Sequence, residues 1–315
     1  MSVTFSGGGV TISGGGWTLS APPIAIKAIF GYGDTNGSGN YVSITNRVST
    51  TGVVSTDTTG VGTARAYLAA AGYGTDKAIF GYGYGAPTEV SMTNLVSNTG
   101  VVGNDVTGVG TARQTPSATG YGTDKAIFGY GYNAGFLSMT NLVSNTGVVA
   151  GDTTGVGTAR NGTAAAGYGS SGQAIFGYGR NSGGTVTLTN LVSNTGVVST
   201  DTAGTGTSRF NLAAAGYGSD KAIFGYGMNN SFAVVSMTNL VSNTGVVAND
   251  TTGVGTARRY IAAAGYGVGT AIFGYGEGAS PAYAMTNLVS NTGVVATDTA
   301  GVGTARNALA AASYG

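Results

Sequence analysis

The chain has 315 residues, a formal net charge of +1, and neither cysteine nor histidine. Disulfides, thiol nucleophiles, imidazole acid–base chemistry and the usual zinc sites are therefore excluded. The charge balance gives no basic stripe for nucleic acid, and no apolar stretch or N-terminal pattern resembles a membrane span or a signal peptide.

Residues 1–26 repeat a seven-residue pattern in which apolar-Thr-apolar-Ser stretches alternate with runs of three glycines. The stretches predict short strands around Phe5, Ile12 and Trp17, so this segment is a Gly-rich, β-forming N-terminal arm. A flexible leader is one interpretation. The other is an anchor whose strands add to the sheet of another subunit, with these three side chains as contacts.

Residues 27–315 contain six copies of one unit, starting near residues 27, 77, 125, 173, 221 and 270. Each copy holds the sequence Ala-Ile-Phe-Gly-Tyr-Gly at intervals of 48 to 50 residues, a period typical of repeat architectures. The sequence predicts a strand whose alternation places Phe30 and Tyr32 on one face and Gly31 on the other. The rings of one unit would then lie against the glycines of the next.

Each copy predicts four strands, which in the second copy are residues 78–83, 90–97, 101–105 and 112–122. Even spacing, Gly-containing turns and no helical period predict an all-β fold, a six-bladed β-propeller of four-stranded blades. A linear β-solenoid is the alternative, and it would need capping repeats. The last copy stops where the first begins, so residues 309–312 are expected to pair with the first Ala-Ile-Phe strand.

The order of a small-residue strand, an aromatic strand ending in glycines and two outer strands resembles a kelch-type propeller over residues 27–315. Gly-Tyr-Gly replaces the glycine pair of that family, and the tryptophan of its last strand is missing. The strings Met-Thr-Asn-Leu-Val-Ser-Asn-Thr-Gly-Val-Val and Gly-Val-Gly-Thr-Ala-Arg are similar to repeats in virion-associated proteins of tailed bacteriophages. The resemblance implies a place in a virion and no particular mechanism.

Most charges also repeat: each copy has an Asp after Val-Val and an Arg eight residues later. Because an enzyme site would not recur six times in register, these charges are predicted to be structural, as ion pairs between blades or hydrogen bonds to loops. The alternative is a Ca²⁺ site at the aspartates, although no Asp-x-Asp-x-Asp ladder supports it. No other cofactor is expected. The residues are Asp57, Asp105, Asp152, Asp201, Asp250 and Asp298, with Arg65, Arg113, Arg160, Arg209, Arg258 and Arg306.

No catalytic residues are predicted. Copper-radical chemistry on a kelch-like fold needs His and Cys, and the Ser-x-Asp-x-Gly-x-Thr-Trp box of sialidase-type propellers does not occur. Glu89 and Glu277 lie in loops of different blades, which does not suit paired carboxylates for glycoside hydrolysis. The Gly-Val-Gly segments open no helix, so they do not fit a phosphate-binding loop.

The copies differ mainly in two segments. One is the loop after the Ala-Ile-Phe strand, and the other is the stretch before the small-residue strand, which reads Ala-Ala-Ala in most copies. Both segments are expected on one face. Drift in unconstrained loops is one explanation. The other is a recognition face, on which Tyr offers contact area and Asn, Ser and Gly offer adaptable hydrogen bonds. The exposed candidates are Tyr41, Tyr84, Tyr132, Phe136, Phe232 and Tyr283.

The chain is therefore predicted to be a non-enzymatic virion protein, either a tail fibre or adhesin or a decoration of the capsid or tail. Its expected partners are other virion proteins, through residues 1–26, and a host surface glycan or protein; a homo-oligomer is also compatible with the sequence. Synthesis in the host cytoplasm and residence in the virion are expected. The alternative is a free, soluble glycan-binding lectin, which would not need residues 1–26.

Overall fold

The computed structural model describes residues 26–35, 37, 39–279 and 281–315, together with the backbone of 2–6, 9–13 and 17–19. The regular elements in this part of the chain are all β-strands, so the predicted all-β class is confirmed. No helix among these residues is long and apolar enough to cross a membrane.

The N-terminal strands pair with one another. Strands β1 (Ser2–Ser6), β2 (Gly9–Ser13) and β3 (Trp17–Leu19) form an antiparallel sheet with β2 in the centre. Phe5 lies opposite Val10 and Ile12 lies opposite Trp17. The side chains of the three predicted anchor residues are outside the described part of the structure, so their contacts stay a prediction.

The remaining strands follow the repeats. In the first three copies they are β4 (Lys27–Asp34), β5 (Tyr41–Val48), β6 (Ala69–Tyr73), β7 (Lys77–Gly81), β8 (Thr93–Val96), β9 (Ser117–Tyr121), β10 (Lys125–Tyr132), β11 (Phe136–Val143) and β12 (Ala164–Tyr168). The fourth and fifth copies contribute β13 (Gln173–Gly177), β14 (Arg180–Asn181), β15 (Gly184–Thr185), β16 (Thr189–Val192), β17 (Arg209–Phe210), β18 (Ala213–Tyr217), β19 (Lys221–Gly225), β20 (Met228–Asn229), β21 (Thr238–Val241) and β22 (Ala262–Tyr266). The last copy contributes β23 (Thr270–Gly274), β24 (Thr286–Val289) and β25 (Ala310–Tyr314).

Six antiparallel sheets of three strands result, one for each repeat. Sheet 1 is β25–β4–β5, sheet 2 β6–β7–β8, sheet 3 β9–β10–β11, sheet 4 β12–β13–β16, sheet 5 β18–β19–β21 and sheet 6 β22–β23–β24. The first-named strand of each sheet, here called its inner strand, lies beside the inner strands of two other sheets; the order is β6, β9, β12, β18, β22, β25 and again β6. Ala311 of β25 pairs with Phe30 of β4, so the predicted pairing of residues 309–312 with the first Ala-Ile-Phe strand is confirmed.

The outermost segment of each repeat is less regular than predicted. Residues 101–105 were expected to form a full strand, but isolated bridges join this segment to β8, at Val96–Val102 and Thr93–Val106. The partners are three residues apart on β8 and four apart on the outer segment, which is a β-bulge. Each sheet therefore has three continuous strands and a bulged fourth segment, where the sequence predicted four strands.

The apolar core is divided among the interfaces between neighbouring sheets. Phe80 is fully buried and packs on Tyr32 of sheet 1, with ring centroids 5.1 Å apart. A Cβ added at Gly31 would lie 2.7 Å from Cζ of Phe80, so only glycine leaves room for the ring. The predicted contact of rings with the neighbouring glycines is confirmed, and each buried Phe contributes about 1.5–3 kcal/mol.

The prediction that Phe30 and Tyr32 share a face is wrong. Phe30 packs in the core between sheets 6 and 1, whereas Tyr32 packs with Ile29 between sheets 1 and 2. The register of β4 and β5 shifts between Gly31 and Gly33, and Tyr32 has a φ of 65°. This left-handed residue breaks the two-residue alternation on which the prediction depended.

Backbone hydrogen bonds connect the turns that follow the inner strands. Each turn donates an N–H to the carbonyl of the next sheet's turn, at 2.7–2.8 Å, and the series returns to the turn where it began. The donor–acceptor pairs are Gly74–Asp124, Gly122–Gly172, Gly169–Asp220, Gly218–Gly269, Gly267–Ile26 and Gly315–Asp76. We call the end of the molecule that carries these turns the constant face and the opposite end the variable face.

Candidate binding face

The variable face is built from two divergent segments of each repeat, the loop after the central strand and the residues before the inner strand. Chain direction brings them to the same end of the sheet, and a backbone bridge joins them in every repeat. The bridged pairs are Asp34–Asn307, Ala66–Tyr84, Gln114–Tyr132, Asn161–Arg180, Phe210–Met228 and Arg259–Glu277. The residues that vary most are therefore direct neighbours.

The predicted aromatic candidates lie on this face, most of them in local pairs. Tyr41 and Tyr84 come from sheets 1 and 2, and their ring centroids are 5.9 Å apart in an edge-on arrangement. Tyr132 and Phe136 face each other within one hairpin at 5.5 Å. The structure distributes these pairs around the face.

The other two candidates differ in exposure. Phe232 is 62% exposed, and its ring lies 6.4 Å from that of Phe210. Tyr283 is half-buried, and its backbone N–H donates to the Gly276 carbonyl at 2.7 Å. Phe232 is thus the most accessible ring of the predicted set.

Sequence analysis missed two rings at the centre of the variable face. Tyr67 precedes the inner strand of sheet 2, Tyr260 precedes that of sheet 6, and their centroids are 5.3 Å apart, edge to face. Burial raises the pKa of both phenols. Both segments had been assigned to this face as divergent, but their contact spans non-adjacent sheets, which no local pattern reveals.

These central residues also belong to a series of backbone hydrogen bonds. All six residues at this position are left-handed, with φ between 51° and 58°. The donors and acceptors are Tyr67–Ala308, Thr115–Tyr67, Asn211–Gly162, Tyr260–Asn211 and Ala308–Tyr260. These five bonds therefore link most neighbouring sheets at the variable face, in addition to the six bonds at the constant face.

Arg180 and Arg259 are the two variable-face arginines, and their surroundings differ. Nε of Arg259 donates to Oε1 of Glu277 at 2.9 Å, and Nδ2 of Asn307 donates to Oε2 of the same carboxylate at 2.6 Å. Arg180 has its guanidinium carbon 5.7 Å from the ring centroids of both Phe210 and Phe232, and that of Arg259 is 5.2 Å from the Tyr260 ring centroid. Both arginines therefore lie near aromatic rings, but in the described part of the chain only Arg259 is also paired with a carboxylate.

The repeated Asp and Arg residues lie away from the variable loops, within and between the sheets. Arg65 is fully buried and stacks at 4.4 Å on the ring of Tyr32 in sheet 1. Its Nη2 donates to Asn94 Oδ1 at 2.7 Å, and its Nε donates to the carbonyl of Tyr82 at 2.9 Å, both in sheet 2. Each arginine of the series stacks on a tyrosine of the preceding sheet in this way.

The aspartates of the series hold the segment that leads from one sheet to the next. Asp105 accepts hydrogen bonds from the backbone N–H of Thr63 at 3.0 Å, from Thr63 Oγ1 at 2.7 Å and from Asn94 Nδ2 at 2.9 Å. Partial burial would raise the pKa of Asp105, but these hydrogen bonds outweigh burial, so the pKa lies below its ordinary value. Its nearest arginine is Arg65, at 3.9 Å, which precedes it by a whole repeat.

This arrangement does not suit the Ca²⁺ alternative. A calcium ion needs several oxygen ligands that face it, whereas the oxygens of Asp105 face N–H and O–H donors. Elsewhere in residues 26–35, 37, 39–279 and 281–315 no group of three acidic, His or Cys side chains could hold a metal. The hydrogen-bond donors around Asp105 fit a carboxylate that is held in place within the structure, and we assign no metal site to it.

The constant face has a central cavity of about 380 Å³ whose lining includes Ile26 and the lysines Lys77, Lys125 and Lys221. Each lysine is paired with the aspartate that precedes it, at 2.7–2.9 Å. The backbone carbonyl of Ile26, which is one of the residues lining this cavity, accepts a hydrogen bond from the Gly267 N–H at 2.7 Å. The N-terminal arm therefore joins the sheets at the constant face.

Comparison with known proteins gives no family. The chain matches no family model, and no curated protein is significantly similar to it.

Proposed function

We propose that residues 27–315 form a closed six-bladed β-propeller that works by binding and not by catalysis. The cyclic order of the inner strands and the six hydrogen bonds between the constant turns support closure. Contacts between the first and the last repeat support closure as well. Thr304 Oγ1 donates to Asp57 at 2.6 Å, and Arg306 Nη2 donates to Asn46 Oδ1 at 2.6 Å. Closure removes the open sheet edges that a linear solenoid would leave.

The propeller, we infer, is mounted by its arm and presents the variable face outward. One observation carries this inference: the arm enters at Ile26, on the constant face, and the divergent aromatic loops lie at the opposite end of the sheets. A body attached through the arm would therefore direct its constant turns inward and its variable loops outward. The regular pairing of β1, β2 and β3 supports the arm as a structured attachment.

The setting that we propose is the virion of a tailed bacteriophage, as a fibre, tail adhesin or decoration protein. The support is the similarity of the repeated strings to virion-associated repeats, together with the kelch-like order of the strands. On such a particle many copies would be displayed together, so weak individual contacts at the variable face would be strengthened by multivalency.

Deletion of residues 1–24 tests this function. The shortened protein should keep the thermal transition of the full chain, because the described contacts of the six sheets involve residues from Ile26 onward, but it should be absent from purified phage particles. A Tyr84→Ala variant, changed only on the variable face, is the control and should be incorporated normally. Normal incorporation of the deleted protein would contradict the mounting role and would favour the free lectin.

A further inference from the structure

Three loops converge around Arg180 on the variable face. Arg180 begins a short hairpin of sheet 4, in which it pairs with Thr185. Phe210 precedes the inner strand of sheet 5, and Phe232 lies in the loop after its central strand. Oδ1 of Asn230 accepts the N–H of Thr185 at 3.3 Å, and Thr185 Oγ1 lies 2.8 Å from Ser208 Oγ. Sheets 4 and 5 are therefore tied together at this point.

Phe232 is held in an exposed position by its own loop. It has a φ of 60°, and its N–H donates to the carbonyl of Asn229 at 3.0 Å. Oδ1 of Asn229 accepts the N–H groups of Ser231 and Ala233, each at 3.0 Å. These hydrogen bonds thus fix the backbone that carries a ring 62% exposed, so little backbone entropy is lost when the ring binds a ligand.

The guanidinium of Arg180 completes the platform. It is exposed and lies 5.7 Å from the centroids of both phenylalanine rings, within the range of cation–π attraction. In the described part of the chain no carboxylate forms an ion pair with Arg180, whereas Arg259 is paired with Glu277 at 2.9 Å. Arg180 therefore keeps its hydrogen-bond donors for an external anion.

We propose that Arg180, Phe210 and Phe232 form a binding site for a carboxylated sugar unit of an acidic polysaccharide. The planar guanidinium matches a carboxylate in a two-bond arrangement. The exposed face of Phe232 carries the negative side of the ring quadrupole and suits the flat, weakly positive C–H face of a pyranose. Because the Phe232 ring is 62% exposed and meets Phe210 edge-on, it offers an open surface and not an enclosure for an apolar peptide side chain, so the sugar is the better match.

The inference rests on the proposed function, since it names the ligand class of the outward face. The two proposals can fail independently. The attachment of the protein to a particle through its arm is tested by particle incorporation, and the sugar site is tested by the binding of a soluble oligosaccharide to the isolated full-length protein.

Titration calorimetry with a hexamer of β-1,4-linked mannuronic acid tests the site, and neutral mannohexaose is the matched ligand. The acidic hexamer should bind and the neutral one should bind at least about tenfold more weakly, because it has no carboxylate to form charge-assisted hydrogen bonds with Arg180. Added NaCl should weaken binding of the acidic hexamer by screening. Arg180→Gln and Phe232→Ala should each reduce affinity by about tenfold or more.

Arg259→Gln is the control, because it removes the same charge from the same face at a position already paired with Glu277. Affinity within about twofold of the wild type is expected there, and thermal melting should show that all three variants are folded. No binding of the acidic hexamer, equal binding of the neutral one, or an equal loss in Arg180→Gln and Arg259→Gln would each overturn the proposal.

Discussion

The constant and variable faces were built from the same six repeats, yet only one of them kept its sequence. At the constant face the turns are enclosed by neighbours: a Cβ at Gly100 would lie 2.5 Å from the Tyr314 hydroxyl, and Ser97 Oγ accepts the N–H of Val101 at 3.1 Å. At the variable face, a Cβ at Gly135 would meet nothing within 4 Å. Sequence is retained where contacts between sheets constrain the side chain or exclude one, and it diverges where a side chain is unconstrained or where only the backbone makes the contact.

One position departs from this rule. The first valine of the Gly-Val-Val turn is 55–66% exposed in every repeat and is nevertheless unchanged. These residues are Val53, Val101, Val148, Val197, Val246 and Val294. The described contacts of these side chains supply no reason for their constancy.

The largest expected effect comes from removing the segment that joins the ends of the chain. Deletion of residues 308–315 removes β25, and with it the buried side chains of Leu309 and Tyr314 and the partner of β4. Loss of that burial and exposure of a sheet edge should cause unfolding or aggregation. Circular dichroism and size-exclusion chromatography would measure this.

A circular permutant is the matched control for this deletion. It would join Gly315 to Ile26 through a short linker and open the chain in the variable loop between Pro87 and Thr88. Because every strand of the six sheets is kept and only the N-terminal strands β1, β2 and β3 are lost, it should fold with a melting transition close to that of the wild type. A truncated protein that melts normally would contradict closure and favour an open solenoid.

The second prediction compares Arg65, a buried arginine of the repeated series, with Arg180, an exposed arginine outside that series. Arg65→Met keeps the side-chain volume but leaves Asn94 Oδ1 and the Tyr82 carbonyl without their donor. Each unsatisfied buried group costs about 1–3 kcal/mol, so a loss of about 3 kcal/mol or more in the free energy of unfolding is expected. Arg180→Met, on the variable face, should change it by less than about 0.5 kcal/mol. Urea denaturation of both variants tests the comparison, and equal losses would remove it.

How much of the fold could be predicted from the sequence depends on whether a feature follows from the repeated unit alone or from contacts with neighbouring strands and sheets. The 48 to 50-residue period predicted the sheets, the pairing of residues 309–312 and the packing of Phe80 on Gly31, since these follow from one repeated unit. The bulge at residues 101–105 and the left-handed Tyr32 were missed because both break strand alternation. Their causes lie in neighbouring strands and sheets.

The candidate site shows the same limit. Tyr41, Tyr84 and Phe232 could be selected as exposed aromatic residues in divergent loops. The partners of Arg180 could not, because Phe210 lies 30 residues further along the chain and Phe232 in the next repeat, and it is sheet 5 that brings both beside Arg180 of sheet 4. For the same reason the Arg eight residues after each Asp is not its nearest arginine: Asp57 lies beside Arg306, at 3.8 Å.

A smaller effect is expected from the aspartates. In Asp152, hydrogen bonds from Thr111 and Asn141 outweigh the effect of partial burial, so that the pKa is lowered. A lowered folded-state pKa stabilises the protein above the ordinary Asp pKa of about 3.9, and that stabilisation is lost as pH falls through the folded value. Since Asp152 is 30% exposed, Asp152→Asn should cost about 1 kcal/mol at neutral pH.

The pH dependence of this variant separates charge from packing. The difference between Asp152→Asn and the wild type should shrink as the pH is lowered below about 4, because the wild-type carboxylate becomes protonated. Urea denaturation at neutral and acidic pH measures it. A difference that stays constant with pH would show that the lost stability does not come from the charge.

The smallest expected effect concerns the exposed valine and sharpens the exception noted above. Val148 is 66% exposed, whereas its neighbour Val149 packs against the core between sheets 2 and 3 and bridges Val143. Val149→Ser should therefore cost about 1–2 kcal/mol of buried apolar surface, and Val148→Ser less than about 0.5 kcal/mol. Thermal and urea unfolding of the two variants provide the test. If Val148→Ser is as costly as Val149→Ser, folding itself explains why this valine is constant; if it is neutral, a requirement outside the folded chain must explain it.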